Sequence, residues 1–138
     1  MNKKPNAHHP IIELRVALTT RDYERMVKFY CDGLGIEPAH AWHNGQGRAM
    51  MLEMGKATLE IFDEAQAQMI DELEAGKRCS GQVRFALQVP DVEKAVQGFT
   101  AHGANLVHQP ALAPWGDRNA RIQDPDGMQI TLFQKPAD

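Results

Sequence analysis

One internal repeat constrains this chain more than any other feature, because two copies of one supersecondary unit have to bury their apolar faces together. Leu14 to Cys31 aligns with Val83 to Thr100 at an offset of 69, and six of the eighteen positions are identical: Arg15/Arg84, Ala17/Ala86, Leu18/Leu87, Asp22/Asp91, Glu24/Glu93 and Val27/Val96. A second match, at offset 71, sets Leu59-Glu60-Ile61-Phe62 against Ile130-Thr131-Leu132-Phe133. Two ordered matches at nearly one spacing mean that each half opens and closes in the same way.

The local pattern within each half is a strand followed by a helix. In Val83 to Val89 the large apolar residues alternate with Arg84, Ala86 and Gln88, the period of a strand with one apolar face; Leu14, Val16 and Leu18 repeat it. Asp22 and Asp91 stand where helix N-caps belong, each with a carboxylate in the following turn. Tyr23, Met26, Val27 and Tyr30 then recur at helical spacing until Gly33 and Gly35 stop the first helix, and Val92, Ala95, Val96 and Phe99 recur until Gly103 stops the second.

Three short strands are predicted after each helix: 36–42, 48–54 and 57–62, then 105–108, 120–123 and 128–133, with Asn44-Gly45-Gln46-Gly47, Gly55-Lys56 and Asp124-Pro125-Asp126-Gly127 as the reversals. Each half is thus βαβββ, an α+β class in which two modules build one curved mixed sheet. The expected organisation is an N-terminal arm over 1–10, a single domain over 11–133 (module one 11–63, connector 64–81, module two 82–133) and a tail over 134–138. The connector has a polar helical look, with Met69, Ile70 and Leu73 on one side. Leu14, Val16, Leu18, Val83, Phe85 and Leu87 are expected on the outer face of the sheet, against the helices, which leaves the alternate residues for the inner face.

A chain of 138 residues supports one core. Its net charge of −3 gives no electrostatic case for nucleic acid or an anionic membrane, and no segment approaches a membrane span, so the expected partner is a small molecule or another protein. Cys31 and Cys79 lack a CxxC spacing, and the N-terminal residues lack the continuous apolar stretch of a signal peptide, so a cytoplasmic protein with reduced thiols is expected.

Asp22-Tyr23-Glu24-Arg25 through Phe29-Tyr30 to Leu34-Gly35-Ile36 resembles the first-helix signature of the vicinal-oxygen-chelate superfamily of glyoxalases, bleomycin resistance proteins and extradiol dioxygenases. Pro114-Trp115-Gly116, Asp124-Pro125-Asp126-Gly127 and Ile130-Thr131-Leu132-Phe133 resemble its closing signature, so the likeness runs from Ile11 to Phe133. The fold hosts lyases, isomerases, ring-cleaving dioxygenases and drug-binding proteins, and function therefore has to be argued from the site.

The resemblance implies four inner-face positions that hold a divalent ion in the metal-dependent members. They fall here on Arg15, Glu60, Arg84 and Thr131, and the repeat pairs the same residues, Arg15 with Arg84 and Glu60 with Thr131. Only Glu60 is a metal ligand; guanidinium has no lone pair to donate. No metal and no cofactor are expected, a divalent ion entering only under the alternative reading below. Two arginines against one carboxylate would leave a positive charge for an anionic ligand; equally, the three residues could simply tie the halves together.

Trp42, Met50, Met54, Phe62 and Trp115 lie on or beside the strands expected to line the cleft, where aromatic and apolar walls suit a drug-sized ligand or simply form core. His40 and His43 flank a hairpin and are candidates for acid–base work or plain surface residues. The ligand-binding set is therefore Arg15, Glu60, Arg84, Thr131, Trp42, Met50, Phe62 and Trp115. The leading expectation is a metal-free small-molecule-binding protein, a homodimer by resemblance, that sequesters an antibiotic or another aromatic or anionic compound. The alternative is a glyoxalase-like lyase, isomerase or dioxygenase with an atypical metal site or with Glu60 as general base.

Overall fold

Both repeated aspartates start a helix by the same contact: the side chain of Asp22 accepts the backbone N–H of Arg25 at 3.2 Å, and that of Asp91 accepts the N–H of Lys94 at 3.1 Å. The structure, a computed structural model, describes Val16 and residues 22–43, 48–57 and 64–137. In chain order its elements are α1 (Tyr23–Leu34), β1 (His40–His43), β2 (Arg48–Met51), α2 (Glu64–Ala75), β3 (Phe85–Gln88), α3 (Val92–Ala101), β4 (Asn105–Leu112), β5 (Arg118–Gln123) and β6 (Gln129–Gln134). No helix among the described residues is long and apolar enough to cross a membrane.

The second half is βαβββ as the repeat predicts. Its four strands are ordered β3-β6-β5-β4, with β3 parallel to β6 and the other pairs antiparallel. In the first half, β1 and β2 form an antiparallel hairpin that pairs His40 with Met51 and His43 with Arg48. The flanking strands expected at 14–19 and 57–62 lie outside the described residues, save Val16 and Ala57, neither of them in a strand.

Alternation along the second-half strands sorts the residues onto two faces. Ile122, Ile130, Leu132 and Ala120 are buried on the outer face with Phe85 and Leu87 beside them, and α3 covers them with Val92, Val96 and Phe99. Helix α1 adds Met26, Phe29 and Tyr30, the Phe29 and Phe99 rings lying 5.4 Å apart. The Asp124-Pro125-Asp126-Gly127 turn is also part of this packing. Asp124 accepts the N–H groups of Asp126 and Met128, both at 2.9 Å, and the Tyr30 hydroxyl donates to its other oxygen at 2.9 Å. Arg25 reaches Asp126 at 2.8 Å, so α1 of the first half is fastened to the closing turn of the second.

Three expectations need correction. Gly33 does not stop α1; the helix runs on to Leu34 and is capped by Gly35 at φ 70°, with its N–H on the Cys31 carbonyl. Gly33 is instead where the Phe99 ring of α3 lies against α1, since a Cβ there would be 2.7 Å from that ring. Val83 and Val16 are about half exposed rather than packed against helices, and Val83 precedes the first paired residue of β3. The buried face of α2 is not built on Met69 and Leu73, which stay 43% and 44% exposed, but on Ile70, Asp71 and Glu74. The reason lies on the inner face of the sheet.

Candidate functional site

Polar residues alternate along the inner side of the β5–β6 hairpin: Asn119 and Arg121 on one strand, Gln129 and Thr131 on the other. Strand pairing sets Ala86, Thr131, Arg121 and His108 in one row across the four strands. Arg121 is 0% exposed, and a buried guanidinium needs both counter-charge and hydrogen-bond acceptors. Helix α2 supplies the charge. Arg121 Nη1 donates to Asp71 Oδ1 at 3.0 Å, and its Nη2 and Nε donate to Glu74 Oε1 at 2.9 and 3.3 Å. Ser80 Oγ at 3.1 Å and Gln129 Oε1 at 2.9 Å also accept from Nη1.

Asp71 also organises the return of the chain after α2. Its carboxylate accepts the backbone N–H groups of Cys79 and Ser80, both at 2.8 Å, the Ser80 hydroxyl at 2.6 Å and Arg78 Nη1 at 2.9 Å. Burial pushes the Asp71 carboxyl up, but these bonds, led by those of Ser80, outweigh it and hold the group well below the usual carboxylate range. Glu74 is gripped as closely: the Thr131 hydroxyl donates to its Oε1 at 2.5 Å and Asn119 Nδ2 to its Oε2 at 3.0 Å. Arg84 Nη1 then donates to Thr131 Oγ1 at 2.8 Å, so the network runs from the residue just before β3 across β6 and β5 to α2.

The family model for the Glyoxalase/Bleomycin resistance protein/Dioxygenase superfamily matches residues 14–132. The chain belongs to this superfamily. A curated relative, the uncharacterized protein YraH of Bacillus subtilis (strain 168), is 26% identical over 125 residues, covering 88% of this chain and 96% of that one. Among solved structures, a glyoxalase-related enzyme from Fulvimarina pelagi matches at a TM-score of 0.57 with 17% identity, over 91% of this chain and 90% of that one. A superfamily enzyme from Burkholderia phytofirmans PsJN matches at 0.53 with 19% identity, over 85% and 93%. At such identities these likenesses establish the superfamily fold, whose α+β class and mixed sheet are those described above.

Of the four positions that the sequence resemblance assigns to the ion of metal-dependent members, Arg15 and Glu60 lie outside the described residues, as does Phe62. Arg84 and Thr131 are brought together. One presents a cationic guanidinium and the other a hydroxyl already committed to Glu74 and Arg84. A divalent ion needs lone pairs from anionic or neutral donors, so this pair does not fit one. The nearby carboxylates, Asp71 and Glu74, are taken up by Arg121, and no three His, Cys, Asp or Glu residues gather in metal-binding fashion among the described residues.

The other candidates are scattered. Trp115 sits half exposed in the turn between β4 and β5, where Ala113 accepts the N–H of Gly116 at 2.9 Å. That end of β5 pairs Arg118 with Gln134, three residues from the Arg121–Thr131 pair, or about 10 Å along the strand. Met50 is half-buried on β2, Met54 is exposed, and Trp42 lies on β1 beside exposed His40. Cys31 is an unsuitable nucleophile, its thiol pushed up by burial and by Glu37 and Asp32.

Arg121, Asp71, Glu74, Asn119 and Gln129 are absent from the sequence-derived site. The signal was present as two patterns: a polar stripe of period two on the last hairpin, and an Asp and a Glu three apart, on one face of a helical connector.

Proposed function

We propose that this protein is a small-molecule-binding member of the superfamily that holds its ligand without a divalent ion, in the manner of a resistance protein that sequesters a compound rather than transforms it. The observation that supports the reading is the Arg84–Thr131 hydrogen bond of 2.8 Å, between a guanidinium and a committed hydroxyl at two of the positions that the sequence resemblance assigns to the ion's ligands. Cationic donors in place of a cation select the same kind of partner, an electron-rich oxygen, by hydrogen bonding instead of coordination. The ligand class in this reading is an aromatic compound bearing a carboxylate or phenolate. A cytoplasmic homodimer is part of the same proposal.

The test combines elemental analysis of the purified protein, calorimetric titration with Ni, Zn, Mn and Fe(II) salts, and a thermal-shift screen of antibiotics and aromatic acids. The expected outcome is no stoichiometric metal, no tight metal binding, and stabilisation by an anionic aromatic compound. A ligand at 100 times its dissociation constant adds about 2.7 kcal/mol to stability. One tightly held divalent ion per chain would overturn the reading.

A further inference from the structure

The inner face of the second module is already occupied by the chain itself. Glu74 sits on Arg121, Thr131 and Asn119 through hydrogen bonds of 2.5 to 3.3 Å, with a guanidinium edge, a hydroxyl and an amide converging on one carboxylate. That donor set is what a pocket for a small-molecule carboxylate requires. While α2 lies there, Thr131 and Arg121 are shut off from solvent, and a ligand cannot reach them.

The attachment of α2 differs from that of the other helices. Helices α1 and α3 each bury three apolar side chains, whereas the buried side chains of α2 are Ile70 and the two carboxylates, with Met69 and Leu73 left in solvent. A helix held mainly by charge is open to exchange with a charged solute: an incoming carboxylate takes over the Glu74 side of the buried arginine, which so keeps a counter-ion, while Asp71 retains Arg78, Ser80 and the Cys79 N–H as partners. The docked helix also leaves one polar atom unserved: Asn119 Oδ1 is buried and accepts no hydrogen bond. Its amide cannot be turned round, because the nitrogen is the only atom of the pair able to donate to Glu74. The face therefore has an acceptor that α2 does not use and that a hydroxyl or N–H on a ligand would.

We infer that Glu74 is an internal ligand and α2 a displaceable cap: a carboxylate-bearing small molecule binds by taking the place of Glu74 on Arg121, Thr131 and Asn119 while α2 swings out. The inference rests on the ligand-binding reading above and adds how the site opens. Because Glu74 competes from within the chain, the apparent affinity of the wild type is reduced by the small fraction of open molecules. Weakening the cap raises that fraction.

Benzoate and its neutral isostere benzamide serve as probes against the full-length wild type and Glu74→Gln. Calorimetry is expected to show benzoate binding Glu74→Gln on the order of tenfold tighter than wild type, with benzamide binding neither. Hydrogen exchange of the wild type at saturating benzoate is expected to show the amides of 66–75 losing protection together while those of β5 and β6 keep theirs. The exchange measurement needs no variant and so stands if Glu74→Gln fails to fold. Equal benzoate affinity in the two proteins, no binding to a folded Glu74→Gln, or unchanged protection of α2 in the saturated wild type would each overturn the cap. A stoichiometric metal would overturn the proposed function instead, and would leave these readings as they are.

Discussion

Replacing Arg121 by methionine keeps most of the side-chain volume and removes the only fully buried cation among the described residues. Asp71 loses one contact at 3.0 Å but retains Ser80, the Cys79 N–H and Arg78; Glu74 loses its ion pair and keeps only Thr131 and Asn119. Stranding a buried charge in this way costs about 3–5 kcal/mol, against a total stability of about 5–15 kcal/mol for an ordinary domain. Urea unfolding followed by circular dichroism should show the loss as a lower midpoint with an unchanged slope. Adding Glu74→Met to Arg121→Met removes the stranded carboxylate along with the cation and leaves Asp71 on Arg78, Ser80 and the Cys79 N–H, and the double variant is expected to recover most of the loss. The two results separate an electrostatic network from simple packing. A loss below about 1 kcal/mol in the single variant, or a double variant no more stable than the single, would refute the assignment of Arg121 as the buried counter-ion of α2.

Three further outcomes follow from separate features. Asp71 is held below its unfolded value, so its contribution is complete above the ordinary carboxylate range near pH 4 and is lost as the pH falls toward the folded value; Asp71→Asn should flatten the acid limb of a stability–pH curve and lower the plateau. Tyr30, pushed up first by burial and then by Asp124, should stay un-ionised until the protein unfolds in alkali, as read by absorbance at the phenolate band; Tyr30→Phe should cost about 2 kcal/mol by removing a donor from a buried carboxylate. Gly33→Ala should destabilise by about 1–2 kcal/mol in urea unfolding despite the better helix propensity, because the new methyl meets the Phe99 ring. A neutral or stabilising Gly33→Ala would mean that α1 and α3 are further apart than described.

The βαβββ unit was legible in the sequence because it is written in local patterns: alternation around Phe85, Asp91 before an apolar helical stripe, and a Pro and Gly turn before Met128. Gly33 misled because a glycine stops a helix and admits a close neighbour equally well, and only the distance to Phe99 distinguishes the two. The connector misled for a related reason. Hydrophobicity sets Met69, Ile70 and Leu73 on one side, but of these only Ile70 is buried, because the face the helix meets carries an arginine and the acidic side turned in. In the site, Arg84 and Thr131 were reached through the repeat, and their hydrogen bond connects them. Arg121 was passed over because a polar residue between Ala120 and Ile122 reads as the solvent side of a strand until something charged is known to cover it.

The Tyr30–Asp124 and Arg25–Asp126 bonds and the Phe29–Phe99 contact join the first helix of one half to the closing turn and helix of the other. Two copies could exchange halves only by parting these contacts and rebuilding them across chains. Monomeric and exchanged forms would then interconvert no faster than the core opens, and whichever form assembles first during folding would persist in a preparation over the lifetime of an experiment.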